Sequence, residues 1–71
     1  MNTAASIAKT VRVAQGLSLR DVAAVMGKSH VWVQLVENGR LAPSANDLAR
    51  LSDALGIDLS EAFRIHEGRA S

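Results

Sequence analysis

Glycine punctuates this chain at short intervals, and a helix-capping side chain follows soon after. Gly16, Gly27 and Gly56 are each followed two residues later by Ser18, Ser29 and Asp58, and Gly39 is followed by Ser44. Glycine just beyond an apolar stripe ends a helix, and Ser or Asp just ahead of the next stripe begins one. This spacing leaves room only for helices of about 8 to 12 residues, too short to persist alone in water. They hold only by packing on one another, so the pattern predicts an all-α, compact five-helix bundle.

The stripes agree with that reading. Ile7, Ala8, Val11 and Ala14 recur at helical spacing and predict a first helix over 4–15. Ser18 with Asp21 is a capping-box pair that opens a second helix, with Leu19, Val22, Ala23 and Met26 inward. Ser29 opens a third, with Val33 and Val36 inward and Asn38-Gly39 as its stop. Residues 31–36 have strand propensity, but the flanking cap and stop favour a helix. Pro43 keeps Ala42 extended. Ser44 with Asp47 predicts another capping box, followed by a helix with Leu48, Leu51, Ala54 and Leu55 inward. Asp58 with Glu61 predicts a last helix carrying Ala62, Phe63 and Ile65. One domain is expected over 1–66, with 67–71 a flexible tail.

With 71 residues, no cysteine and only Trp32 and Phe63 as aromatics, the core must be aliphatic and the fold lacks disulfide staples. His30 and His66 lie too far apart for a helical metal pair, so no metal or other cofactor is expected. A chain this small favours oligomerisation as a source of extra burial. Residues 1–43 hold five basic residues against two acidic, whereas residues 44–71 hold three basic against five acidic. An anionic partner would therefore approach the first part. No apolar run is long enough to span a membrane and no signal peptide is evident, so a cytoplasmic location is expected, at the nucleoid of a prokaryote.

The second and third helices, with two residues between Gly27 and the third, have the spacing of a helix-turn-helix, whose second helix lies in the DNA major groove. The residues add detail: Gly16-Leu17-Ser18, Val22-Ala23, Met26-Gly27, Ser29, Val33, Val36-Glu37-Asn38-Gly39, Pro43-Ser44 and Ala54-Leu55-Gly56-Ile57. This pattern resembles the Cro-like (XRE-like) phage-repressor helix-turn-helix family over about residues 4–65. The resemblance implies a five-helix domain, lambda-repressor-like, that binds a double-stranded inverted-repeat operator as a homodimer and represses transcription.

The resemblance also implies roles. Arg12 matches a buried arginine that pairs with Glu37. His30, Val31, Gln34 and Leu35 would face the bases, Gln34 suiting an adenine edge and the apolar pair thymine methyls. Ser18, Arg20, Lys28, Ser29, Asn38 and Arg40 would hold phosphates. Ile57, Leu59, Phe63 and Ile65 would form the dimer face, although Leu59 and Phe63 could equally close the monomer core. Trp32 has three readings: core beneath the second helix, an indole N–H on a phosphate, or an anchor for a partner protein.

Leu19 stands where this family usually has Gln, and the third helix is apolar, with no Lys or Arg between Lys28 and Arg40. A second function class follows: an antitoxin or antiactivator gripping a toxin or other protein through that helix. An enzyme is not expected, because Ser29 and His30 lack a third catalytic partner and the capping acids are otherwise explained. No small-molecule ligand is expected.

Overall fold

The structure, a computed structural model, describes residues 4–60. It contains α1 (Ala4–Ala14), α2 (Leu19–Met26), α3 (His30–Glu37) and α4 (Ala45–Leu55), and no strand among the described residues. The first four predicted helices are present. The fifth, with Phe63 and Ile65, lies outside the described residues, as does the tail at 67–71.

Local chemistry sets the helix boundaries. The Ser18 hydroxyl accepts from the Asp21 amide at 3.0 Å, and the Asp21 carboxylate accepts from the Ser18 amide at 2.8 Å. Both halves of the predicted capping box are therefore made at α2. Those bonds hold the exposed Asp21 carboxyl below its ordinary pKa, the Ser18 backbone N–H contributing most. At the other end, Gly27 has φ +67, and the Lys28 amide bonds back to the Ala23 carbonyl at 3.0 Å. A left-handed residue here turns the chain out of α2 and into α3 within three residues.

Ser44 departs from its predicted pattern. Its hydroxyl accepts from the Asp47 amide at 3.1 Å, but the return half of a capping box is absent. The Asp47 carboxylate is engaged elsewhere, as described below.

The core is aliphatic: Ala8, Val22, Ala23, Met26, Val33, Val36, Leu51, Leu55 and Leu59 form one buried cluster. α2 packs on α3 and α4, and α1 closes over α3 and α4. Ser52 ties the segment after α4 to that helix. Its hydroxyl donates to the Leu48 carbonyl at 2.9 Å and accepts from the Leu59 amide at 3.0 Å. That bond seats Leu59 in the core with 0% of its surface exposed. The dimer-face expectation for Leu59 is thereby corrected, because a side chain with no exposed surface has none to offer a second chain. Ile57 is half-buried against the same cluster and keeps some surface.

Candidate nucleic-acid interface

α3 shows two faces. Val33 and Val36 point into the core, at 2% and 1% exposure. Val31 and Gln34 are exposed, while His30 and Leu35 are half-buried. The four predicted base-facing residues thus recur at the spacing of one helical side, with Gln34 and Val31 its most accessible members. Trp32 is half-buried and packs against the core cluster, which favours the first of its three readings.

Ser29 caps α3: its hydroxyl accepts from the Trp32 amide at 3.1 Å and keeps its own hydrogen available to donate. Arg20, Lys28, Ser29 and His30 line an open cleft with Ala23 and Ala24, where α2 meets the start of α3. Asn38 and Arg40, both exposed, follow the end of α3. Arg20 and Ser29 thus border the start of α3, and Asn38 and Arg40 extend from its end. At Ser18 the geometry narrows the expectation, because its backbone N–H is taken by Asp21 and that carboxylate repels an anion. The Leu19 and Arg20 amides, which lack intrahelical acceptors, remain at that terminus.

The Arg12–Glu37 pair is made. Arg12 Nε lies 2.7 Å from Glu37 Oε2, and Nη2 donates to Oε1 at 3.1 Å. Arg12 Nη1 also donates to the Leu17 carbonyl at 2.6 Å. The two side chains are 10% and 7% exposed. Glu37 raises the Arg12 pKa above its ordinary value, chiefly through these hydrogen bonds. The pair fastens the last residue of α3 to α1 and to the loop ahead of α2.

Two residues at this site were not anticipated. Asp47 Oδ2 lies 3.3 Å from Lys28 Nζ, and Arg50 Nη2 donates to the Met26 carbonyl at 2.9 Å. Both reach from α4 to the turn between α2 and α3. Lys28, expected at a phosphate, is paired with Asp47 and lies over the Trp32 ring, 5.4 Å from its centroid. The signal in the sequence was the Asp47–Arg50 spacing on α4; reading Asp47 as a capping residue concealed it.

No helix among the described residues is long and apolar enough to cross a membrane. No curated protein and no solved structure gives a significant match. A family model described as a helix-turn-helix domain matches residues 8–63, in agreement with the Cro-like resemblance. That span takes in α2, the turn at Gly27 and α3, together with the Arg12–Glu37 pair that braces them, and the chain belongs to the helix-turn-helix domain family.

Proposed function

We propose that the chain is a sequence-specific regulator of transcription that represses by binding an inverted-repeat operator as a homodimer. The observation that carries this reading is the exposed side of α3 bearing Val31 and Gln34, with Arg20 and Ser29 lining a cleft at the start of the helix and exposed Asn38 and Arg40 following its end. Gln34 can donate and accept together, matching the adenine edge in the major groove. The surrounding cations and hydroxyl suit phosphates, which fix register. The two recognition helices of a dimer would enter major grooves about 34–36 Å apart. Ile57, with Phe63 and Ile65, is the proposed self-association surface. The proposed role is non-enzymatic and cytoplasmic.

A second reading has its own support. Val25 on α2 and Val31 on α3 are 66% and 48% exposed, an apolar content that suits a partner protein. Selection of genomic fragments on purified protein, followed by a salt titration of the best fragment, separates the two. An enriched inverted repeat with steeply salt-dependent affinity supports the regulator. No enrichment at low salt, with salt-insensitive capture of a protein partner, supports the interaction module.

Two substitutions divide reading from anchoring. Gln34→Ala should reduce discrimination at one operator position by about 1–3 kcal/mol while sparing non-specific binding. An unchanged sequence preference would remove Gln34 from the readers. Arg40→Ala should weaken binding to all sequences alike and reduce the salt slope by about one. A slope that stays put would take Arg40 off the phosphates.

A further inference from the structure

Two Ser-x-x-Asp segments in this chain share a spacing and differ in outcome. At Ser18 and Asp21 the carboxylate returns to its own helix terminus. At Ser44 and Asp47 the carboxylate turns away, with Oδ2 3.3 Å from Lys28 Nζ and Oδ1 3.9 Å from Arg50 Nη1. Asp47 is 15% exposed and Lys28 34%, so water screens the pair only in part. The Trp32 ring lies against the same ammonium. Lys28 is also the sole Lys or Arg between Arg20 and Arg40. It sits in the turn beside the Ser29 cap, where a free ammonium would meet a phosphate.

The geometry points to Asp47 as a positioning residue that restrains Lys28 and thereby limits DNA affinity. This inference rests on the DNA-binding reading and deepens it. An ammonium already neutralised by a carboxylate displaces few counterions from DNA, so the salt slope of the native chain lacks the share that Lys28 would add. Asp47→Asn keeps the shape and the backbone bond to Ser44, and removes the charge that holds Lys28.

The test is a salt titration of duplex DNA binding by the full chain and four variants. Asp47→Asn should bind several-fold tighter at low salt, with a slope steeper by about 0.9. Asp53→Asn makes the same change of net charge on an exposed residue of α4 and should leave the slope near that of the native chain. Lys28→Met alone should also leave it unchanged, and Lys28→Met with Asp47→Asn should return the steepened slope to the native value. The inference is overturned if Asp47→Asn behaves as Asp53→Asn does. It is equally overturned if Lys28→Met flattens the slope of the native chain, because Lys28 would then already contact phosphate. A native chain that does not bind duplex DNA even at low salt overturns the DNA-binding reading itself.

Discussion

Arg12→Ala is expected to destabilise the fold by about 3–5 kcal/mol, the range found when one partner of a buried ion pair is removed. The loss is larger than the pair's net contribution. The Glu37 carboxylate, 7% exposed, would remain in the protein without the guanidinium that balances it. The Leu17 carbonyl would lose its 2.6 Å donor as well. A domain of this size has a total stability of about 4–10 kcal/mol, so the variant should lose a large share of it. Urea denaturation followed by far-UV circular dichroism measures this directly. Arg12→Met combined with Glu37→Leu supplies the contrast: it removes both charges together and should recover much of the loss. A cost below 1 kcal/mol for Arg12→Ala would mean that the pair behaves as an exposed one. The consequence reaches the interface, because Glu37 is the last residue of α3 and Asn38 and Arg40 follow it. Slack at this bond displaces the proposed anchors even where the chain remains folded.

What was legible in the sequence was local. Ser18, Ser29 and Ser44 each cap a helix, because the oxygen that accepts and the amide that donates lie three residues apart. Gly27 was legible for the same reason: its place after Met26 is a property of the chain, not of packing. The Arg12–Glu37 bond spans 25 residues, and the family resemblance supplied it where spacing could not. Asp47 shows the limit. Its offset from Ser44 equals that of Asp21 from Ser18, yet a tertiary partner outcompetes the local amide for its carboxylate. The phosphate expectation for Lys28 comes from the family resemblance; the carboxylate that meets its ammonium comes from α4, out of reach of any local reading. Trp32 was ambiguous because amphipathic spacing alone does not tell a half-buried ring from an exposed one.

Leu59 was ambiguous in the same way, and its truncation decides between two architectures. Leu59→Ala should cost about 2–5 kcal/mol, because the side chain is wholly buried and the surrounding cluster would close over the void only in part. For a domain of 60 to 100 residues each kcal/mol lowers Tm by about 4–8 °C, which places the expected drop at roughly 8–40 °C. The dependence on protein concentration carries the argument. A residue that stabilises only through a dimer acts by mass action, so its removal would matter most where the dimer is populated and least in dilute solution. A core residue weakens the monomer at every concentration. Thermal unfolding of Leu59→Ala and the native chain at matched concentrations should therefore show a constant separation across a wide dilution series. A separation that vanishes on dilution would return Leu59 to the subunit interface. Ile57→Ala is the informative companion, since Ile57 retains exposed surface after packing against the same cluster. If the proposed homodimer uses this region, Ile57→Ala should produce the concentration-dependent loss that Leu59→Ala lacks. The pair of variants then separates what closes the monomer from what joins two copies across an operator.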